Sequence, residues 1–411
     1  MAARAGGLAR AAVLAMRVGL DLRWLQRAYL NSPEGALGGM GMVSENLWRG
    51  LARVADGCTL VALIDQGLVP ETVVRLIHAA PRHEVARVGW RGLCTRLDKR
   101  WKYLTAVAYA ETLAGLRLPP LDVLHLLDHM PPPRGLAAAS IVTLHEFFEK
   151  VREGWPIYRA LCARMGHADR VVAVSHAVGE DYRRRFAARP EAVEVVHNGI
   201  DLGVFKPASD DAGAVRARHA IPGPYILHAG VMTLRKNPAG VLRALAALRA
   251  EGRDPPFFVS VGAYHAGPGQ EARLRALAAE ASVADRLIVL ARGVPGAEMA
   301  ALYRASLGLV FPSLHEGFGL PAVEALACGV PCVVADTGGL PEVTGPLGIL
   351  CDPRDPSSIA RGIARLMDDA AHRTRVAMEG PRRAQSFSFE AMARGYLTVY
   401  ERAVAARRAA R

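Results

Sequence analysis

A glycine-rich turn joins a buried apolar run to a helical stretch in the second half of the chain. The run ends at Pro312, Gly317 and Gly319 form the turn, and the helix begins near Pro321. Backbone N–H groups at the positive end of a helix dipole form a natural cradle for a diphosphate. Many nucleotide-binding sheets share such a turn, so the neighbouring side chains must decide its chemistry.

Two glutamates eight positions apart flank this turn. Glu316 stands at the strand end, where its carboxylate can reach a sugar ring, and Glu324 lies one turn inside the helix. A carboxylate at that second place can accept charge-assisted hydrogen bonds from both hydroxyls of a ribose. Each residue also has a structural interpretation, because Glu324 fits a solvated helix face and Glu316 fits a partner of the helix dipole.

A basic pair follows another buried run earlier in the same half. Residues 225–229 predict a strand, Gly230 predicts the turn after it, and Arg235 and Lys236 come next. A diphosphate leaving group needs fixed positive charge beside it, and these two side chains can supply that charge. A solvated helix start is the structural alternative for the same residues.

These motifs resemble those of a known enzyme family. Residues 315–343, HEGFGLPAVEALACGVPCVVADTGGLPEV, are similar to the E-x7-E region of the family-4 retaining glycosyltransferases of GT-B fold, the glycosyl transferases group 1. Residues 225–237, YILHAGVMTLRKN, are similar to the family's diphosphate-binding segment, in the R-K-N form of the mannosyltransferase-like subgroup. Val231 stands where many members carry arginine, so the resemblance assigns that task to Arg235.

The first half carries a looser resemblance. Residues 141–150, IVTLHEFFEK, resemble the family's V-T-x-H-D strand end, which implies that His145 lies near the donor sugar, with Glu146 replacing the usual aspartate. The residues around Gly39 and Gly41 resemble the family's glycine loop before its first helix, which would let the backbone approach the donor phosphate. A structural histidine and a flexible surface loop are the alternatives for these two features.

The resemblance implies a set of site residues. The expected catalytic residues are Glu316, His145, Lys236 and Arg235. The expected donor-binding residues are Glu324, Gly317, Phe318, Gly319, Leu320, Gly230, Val294, Gly39 and Gly41. No metal ligand and no cofactor are expected, because cationic side chains can do the work of a metal at the diphosphate.

The implied activity is retaining transfer of a hexose, with mannose favoured, from a nucleoside-diphosphate sugar to an acceptor hydroxyl. The expected donor is GDP-mannose or a UDP-hexose, and the expected acceptor is a glycan or a lipid-linked sugar in cell-surface polysaccharide or glycolipid synthesis. The alternative is a non-catalytic GT-B-like protein that binds a sugar nucleotide or acts as a scaffold. A dinucleotide oxidoreductase or an epimerase is disfavoured, because no G-x-G-x-x-G directly follows the first strand.

Alternating apolar runs and amphipathic stretches predict an α/β fold with two Rossmann-like doubly wound parallel sheets. The resemblance implies the GT-B form of this fold, in which the two domains face a central cleft. The predicted strands are 17–22, 59–64, 123–126, 141–144, 170–174, 193–196, 225–229, 257–261, 287–290, 307–311, 331–335 and 348–350. The expected division is a tail at 1–15, an acceptor domain at 16–208, a donor domain at 209–388 and a helical segment at 389–411 that packs back on the acceptor domain.

The composition limits the partners and the location. The 411 residues carry a formal net charge of +12 and have a pI near 9.8, which favours a polyanionic partner such as nucleic acid, an anionic lipid surface or a nucleoside diphosphate. No aromatic-stacking or helix-turn-helix pattern supports binding of nucleic acid. The six cysteines are scattered, as in a reduced cytosolic protein. No window has the ~18 uncharged apolar residues of a membrane span, so a cytoplasmic protein is expected.

One basic segment, residues 82–103, interleaves arginines and lysines with Trp90 and Trp101. Such a segment suits peripheral docking on the anionic inner face of the cell membrane, where the enzyme would meet a lipid-linked acceptor. An ordinary solvated helix in an arginine-rich protein is the alternative.

Overall fold

Two parallel sheets, with helices packed on them, make up the described part of the chain. The structure, a computed structural model, describes residues 15–31, 39–88, 120–127, 138–146, 163–186, 193–209, 212–230, 233–262, 268–290 and 294–410. The first sheet is built from the first half of the sequence and the second sheet from the second half. The predicted fold class, two Rossmann-like doubly wound units, is confirmed.

The first sheet has seven parallel strands in the order β3-β2-β1-β4-β5-β6-β7. Its strands are β1 (Arg17–Asp21), β2 (Thr59–Asp65), β3 (His83–Val88), β4 (Val123–Leu126), β5 (Ala139–Leu144), β6 (Arg170–Ala173) and β7 (Val193–Val195). The central strands are apolar along nearly their whole length, because a parallel sheet is covered by helices on both faces. The strand order reverses between β1 and β4, which makes that place a switch point of the topology.

The second sheet has six parallel strands in the order β10-β9-β8-β11-β12-β13. Its strands are β8 (Tyr225–Ala229), β9 (Phe257–Val261), β10 (Leu287–Leu290), β11 (Gly308–Phe311), β12 (Cys332–Ala335) and β13 (Gly348–Cys351). The order reverses between β8 and β11. A crevice therefore opens at the carboxyl ends of these two strands.

Thirteen helices accompany the strands in the described ranges. They are α1 (Arg23–Asn31), α2 (Gly39–Val54), α3 (Glu71–His78), α4 (His176–Phe186), α5 (Ala212–Arg218), α6 (Pro238–Ala250), α7 (Pro268–Glu280), α8 (Gly296–Arg304), α9 (Leu320–Ala327), α10 (Leu340–Thr344), α11 (Pro356–Asp368), α12 (Ala370–Ala384) and α13 (Phe389–Ala409). Among these residues, no helix combines the length and the apolar character that crossing a bilayer requires.

Every predicted strand coincides with an observed one to within two residues at each end. Strand β3 was not predicted, because it falls in the basic segment for which a membrane-docking surface or a solvated helix was expected. Residues 83–88 form an edge strand parallel to β2, so the helix is wrong for them, and the membrane docking stays a prediction. Only Val88 of this strand is buried, so no long apolar run reveals it in the sequence. Residues 89–103 lie outside the described residues.

Helix α13 follows the second sheet in sequence but packs on α2 and β5 of the first. The hydroxyl of Tyr400 lies 2.7 Å from Nδ1 of His125, and Nε2 of the same ring lies 2.7 Å from the hydroxyl of Thr143. Tyr396 completes the network, with its hydroxyl 2.8 Å from that of Thr143. Burial lowers the pKa of His125 to about 3, so the imidazole is neutral.

The chain passes between the two sheets twice, and the two crossings lie side by side. Ile200 and Ser388 form a parallel bridge, and the Ile200 N–H donates to the carbonyl of Phe387 at 2.8 Å. At Gly199 a Cβ atom would lie 2.5 Å from the Cα of Phe389. The two crossings touch at this point because residue 199 has no side chain.

Candidate active site

Side chains that follow β8 and β11 converge at the switch point of the second sheet. Gly230 follows β8 with φ +117°, a backbone region that favours glycine. A 3-10 helix at Leu234–Lys236 then carries the basic pair. Glu316 comes from the loop after β11. Sheets of this type bind ligands in the crevice beside such a point, so these residues stand where a nucleotide ligand is expected.

Glu316 is the centre of an ion cluster with the basic pair. Its Oε2 contacts Nζ of Lys236 and lies 3.3 Å from a terminal guanidinium nitrogen of Arg235. Burial opposes ionisation of the carboxyl, but the two cations prevail and hold the pKa of Glu316 below its usual range. Three of the four predicted catalytic side chains therefore lie together, with the carboxylate ionised.

Lys236 is held by neighbours that the sequence analysis does not single out. Its ammonium nitrogen lies 4.4 Å from the ring centroid of Phe311, which is a cation–π contact. Its backbone carbonyl accepts a hydrogen bond from Nε2 of His228 at 3.2 Å. Burial lowers the pKa of His228 to about 4, so this ring is neutral. In the sequence, His228 is marked only by being a histidine within the otherwise apolar run YILHA.

Asn237 explains why an asparagine follows the basic pair. It has a left-handed backbone with φ +57°, which asparagine tolerates better than most residues. Its Oδ1 accepts the Gly240 N–H at 3.1 Å and caps α6. Its amide donates to the carbonyls of Pro312 and Pro353 at 3.2 and 2.7 Å. These bonds tie the segment that carries the cations to the loop after β11.

The first sheet contributes His145 and Glu146, which follow β5. Nε2 of His145 donates to the carbonyl of Leu127 at 2.9 Å. Glu146 reaches the second sheet, because its Oε2 lies 3.0 Å from a guanidinium nitrogen of Arg235. Of these two residues it is therefore Glu146 that joins the basic pair, whereas Nε2 of His145, the fourth expected catalytic residue, bonds to Leu127 after β4 of the first sheet.

The glycine turn before α9 is in close contact with the first sheet. A Cβ atom at Gly317 would lie 1.9 Å from the carbonyl oxygen of His145, so the approach requires glycine. The hydroxyl of Ser175 donates to the carbonyl of Gly317 at 2.6 Å. Gly319 has φ +101° and stands at the N-cap of α9, and Leu320 begins the helix with a buried side chain. The predicted cradle is thus a tightly packed turn before a helix, at positions that require glycine.

The Phe318 side chain does not lie in the environment that contact with a donor would require. Its side chain is buried, and its ring centroid lies 5.9 Å from that of His197 and 5.8 Å from that of Phe387. The ring therefore belongs to the contact between the two halves of the chain. Only the backbone of Phe318 is left for the predicted contact with a donor.

Glu324 is 6% exposed, so it does not lie on a solvated helix face. One of its carboxylate oxygens accepts the hydroxyl of Tyr303 at 2.9 Å. Burial raises the pKa of Glu324 to about 7, against the opposing effect of this hydrogen bond. A buried carboxylate with so little compensation is costly to the fold, which favours a functional reason for its presence.

The remaining predicted donor-binding residues have mixed outcomes. Gly39 and Gly41 do not form a loop before the first long helix, because both lie in the first turn of α2. The expected glycine loop is therefore wrong at these two positions; it was expected because glycine is a poor helix former. Val294 is half-buried and packs against the core just before α8. Its neighbours 291–293 lie outside the described residues, as does Val231.

A second polar contact joins the two halves beside the glycine turn. Glu342 accepts the backbone N–H of His176 at 2.9 Å and lies 2.5 Å from Nε2 of His197. These three side chains place potential metal-ligand atoms within 4.8 Å of one another, and they are the only such group among the described residues. In the described part of the chain, none of these three side chains bonds to Arg235 or Lys236.

Comparisons with known families agree with this arrangement of the chain. A family model described as Glycosyltransferase Family 4 matches residues 37–204, and one described as Glycosyl transferases group 1 matches residues 214–383. The first match covers most of the first sheet with His145 and Glu146, and the second covers the whole second sheet with Glu316 and the basic pair. The chain belongs to glycosyltransferase family 4.

Curated relatives of this family-4 chain cover only part of it. A D-inositol 3-phosphate glycosyltransferase of Salinispora tropica is 37% identical over 261 residues, which is 59% of this chain and 53% of the relative. An MMP alpha-(1->4)-mannosyltransferase of Mycolicibacterium hassiacum is 35% identical over 239 residues, which is 57% of this chain and 54% of the relative. The chain thus spans about half the length of the curated relatives that it matches.

Solved structures share the GT-B fold with this family-4 chain. Sucrose-phosphate synthase from Thermosynechococcus elongatus superposes with a TM-score of 0.74 at 21% identity, over 95% of this chain and 100% of that one. HepE from Anabaena, in complex with UDP-glucose, superposes with a TM-score of 0.68 at 18% identity, over 94% of this chain and 100% of that one. At these identities the likeness establishes the fold alone.

Proposed function

We propose that this protein is a retaining glycosyltransferase that moves a hexose from a nucleoside-diphosphate sugar to an acceptor hydroxyl. The observation that carries the proposal is the meeting of Lys236, Arg235 and Glu316 at the switch point of the second sheet, beside the start of α9. Two fixed cations and a helix N-terminus form an anion site of the kind that a diphosphate leaving group requires.

The chemistry follows from these charges. As the bond between the anomeric carbon and the diphosphate breaks, negative charge grows on the leaving phosphate, and Lys236 and Arg235 stabilise it without a large rearrangement. Attack from the same face of the sugar gives retention, and the leaving phosphate takes the acceptor proton. Glu316 stays ionised and holds the two cations in place, and from that position it can also accept hydrogen bonds from the sugar hydroxyls.

Glu324 is proposed to bind the ribose of the donor. Its carboxylate lies in the first turns of α9, eight residues after Glu316, and among the described residues it bonds to the hydroxyl of Tyr303. Binding of a ribose diol would give this carboxylate two further hydrogen bonds. These bonds favour the ionised form, so the donor would lower the pKa of Glu324.

The hexose is proposed to be mannose, and the donor GDP-mannose or a UDP-hexose. The R-K-N form of the basic segment and the relative whose name states a mannosyltransferase support mannose. The neighbour solved with UDP-glucose supports a UDP-sugar as the competing donor. The proposed acceptor is a glycan or a lipid-linked sugar, with the protein in the cytoplasm or docked at the inner face of the cell membrane through residues 82–103. The transfer is proposed to need no metal ion.

The alternative function is a non-catalytic protein that binds a sugar nucleotide or acts as a scaffold. The replacement of the family's aspartate by Glu146 favours this alternative, because Glu146 pairs with a cation that the donor needs. A binding protein of this kind would bind the nucleotide and leave the sugar–phosphate bond intact. Binding and turnover must therefore be measured separately.

The test begins with calorimetry of GDP, UDP and ADP on the purified protein, on Lys236→Ala and on Arg253→Ala. Arg253 is the matched control, because it pairs with Asp368 on the surface of the same half of the chain. We expect one nucleotide to bind wild type and the control equally and to bind Lys236→Ala much more weakly. Binding of none of them by folded wild type would refute the proposal.

Turnover is then followed as release of nucleoside diphosphate from GDP-mannose, UDP-glucose and UDP-galactose, with and without candidate acceptors. Release from the sugar nucleotide whose base binds in calorimetry would support the transferase. Tight binding with no release from any donor and any acceptor would favour the scaffold.

A further inference from the structure

We propose that the Glu146 carboxylate occupies the place on Arg235 that the diphosphate of the donor would take, and that the donor must displace this carboxylate from Arg235 in order to bind. The inference rests on the proposed function, because it takes the diphosphate of a sugar nucleotide as the competing anion. It assigns to Glu146 the control of donor affinity, which is a different role from catalysis.

The contacts of the carboxylate are those of a bound anion. One oxygen of Glu146 lies 3.0 Å from a guanidinium nitrogen of Arg235, and the backbone amide of Gly317, in the turn before α9, helps to lower the pKa of this carboxyl. Arginine side chains and backbone amides are also donors that phosphate groups use in proteins. A side chain from the first sheet therefore occupies donors of the second sheet.

The charge count of the cluster leads to the same conclusion. Arg235 and Lys236 contribute two positive charges, and Glu316 and Glu146 contribute two negative charges within bonding distance of them. A diphosphate would add two or more negative charges to this neutral group. The site becomes attractive to that ligand only when one carboxylate withdraws or takes up a proton, and Glu316 is the more tightly held of the two because it bonds both cations.

Partial burial of Glu146 and Arg235 strengthens the competition between the Glu146 carboxylate and a diphosphate for Arg235. The Glu146 side chain is 18% exposed and the Arg235 side chain 26%, so water screens their attraction less than at an open surface. Burial raises the pKa of Glu146, and the neighbouring Glu316 adds to the rise, although Arg235 opposes it. The carboxyl can therefore take up a proton at a higher pH than an ordinary glutamate, which would release Arg235.

The backbone around Glu146 cannot shift to avoid the contact while the halves stay together. Gly317 packs against the carbonyl of His145, where a Cβ would come within 1.9 Å, and so the base of the Glu146 side chain is fixed relative to the glycine turn. The length of the side chain then decides whether the carboxylate reaches Arg235. An aspartate at this position would keep the charge and shorten the reach by one methylene group.

The test measures the affinity of the nucleoside diphosphate that wild type binds, by calorimetry at pH 7.5, for Glu146→Gln, Glu146→Asp, Arg235→Ala and the double variant Glu146→Gln/Arg235→Ala. We expect Glu146→Gln to bind about tenfold more tightly than wild type, which corresponds to about 1.4 kcal/mol, and Glu146→Asp to show a smaller gain. The gain should vanish in the double variant, because the competition takes place at Arg235.

Glu342→Gln is the matched control, since Glu342 also joins the two halves through His197 but does not touch the basic pair. An equal gain in this control would show that a looser contact between the halves, rather than a vacated anion position, tightens binding, and it would overturn the inference. Unchanged or weaker binding by both Glu146 variants would overturn it as well. If wild type binds no nucleotide at all, the proposed function itself fails, which is a distinct outcome.

The pH dependence gives a second readout. Wild type should bind the nucleotide more tightly as the pH falls toward the raised pKa of Glu146, in excess of any such change in Glu146→Gln, because protonation of Glu146 removes the competing charge. The comparison uses the same ligand for both proteins, so the ligand's own titration cancels. Parallel pH profiles of the two proteins would contradict the displacement.

Discussion

Replacement of Glu324 by glutamine is expected to stabilise the ligand-free protein at alkaline pH. Burial raises the pKa of this carboxyl from 4.5 to about 7. Between these two values the folded protein keeps a proton that the unfolded chain has released, so the free energy of unfolding falls as the pH rises. The shift corresponds to a cost of about 3 kcal/mol at pH 8, and to about a quarter of that at pH 5.

Glutamine removes the charge and keeps an oxygen that can accept the Tyr303 hydroxyl. For a folding unit of this size, 1 kcal/mol moves the melting temperature by about 2–4 °C. The Glu324→Gln protein should therefore melt about 6–12 °C above wild type at pH 8, with a much smaller difference at pH 5. Scanning calorimetry of both proteins in the two buffers measures this directly.

Glu342→Gln provides a control of opposite sign. Burial opposes ionisation of Glu342, but hydrogen bonds from His197 and from the His176 amide hold its pKa below the usual range. An ionised Glu342 therefore contributes stability at pH 8, and its loss should lower the melting temperature there. The reasoning on Glu324 fails if Glu324→Gln melts with wild type at both pH values, or below it at pH 8.

The same Glu324 variant should bind the nucleoside diphosphate less well, although it is the more stable protein. Loss of charge-assisted hydrogen bonds to a ribose is expected to weaken binding roughly ten- to a hundredfold. Higher protein stability together with weaker nucleotide binding would show that Glu324 serves ligand binding and not the stability of the fold. Stabilisation with unchanged binding would remove it from the donor site.

Four further outcomes follow from the geometry. Lys236→Ala should lower kcat/KM by at least about 100-fold, because a fixed cation at the leaving group is lost, whereas Lys236→Arg should retain more activity. Gly317→Ala should lower kcat about 100-fold, because the added Cβ atom would hold the two halves apart. A kcat within twofold of wild type would contradict the close packing at His145. Tyr400→Phe should lower the free energy of unfolding by about 1–3 kcal/mol, measured by denaturant titration, because Nδ1 of His125 loses its buried partner. Activity should persist in excess chelator, and a loss that manganese restores would refute metal independence.

The strands could be predicted from the sequence because nearly all of them are short apolar runs between turns. The run 225–229 is an example, since five buried residues in succession suit a central parallel strand and little else. Strand β3 was not predicted from the sequence, because it lies at a sheet edge with mostly exposed side chains. The start of α2 was not predicted for another reason. Glycines predict a loop, and only packing against the rest of the fold keeps Gly41 in a helix.

The convergence of the site could be predicted only in part. Glu316 and the basic pair each follow a strand, and the rule that ligands bind at the carboxyl edge of such a sheet brings them together. Contacts between the two halves leave no periodic signal, so neither the bond between Glu146 and Arg235 nor the position of the Phe318 ring could be derived. The burial of Glu324 under Tyr303 is equally invisible, because it depends on the packing of α8 against α9.

The packing of α13 on the first sheet has a consequence for how the protein is made. The first sheet emerges from the ribosome early, but Nδ1 of His125 on β4 and the hydroxyl of Thr143 on β5 also bond to the hydroxyls of Tyr400 and Tyr396, which come much later in the chain. Until those residues emerge, the sheet has an unfilled face with unsatisfied polar atoms. The first part of the protein to be synthesised is therefore the last to be completed, and a nascent chain halted before α13 should remain a substrate for chaperones and proteases.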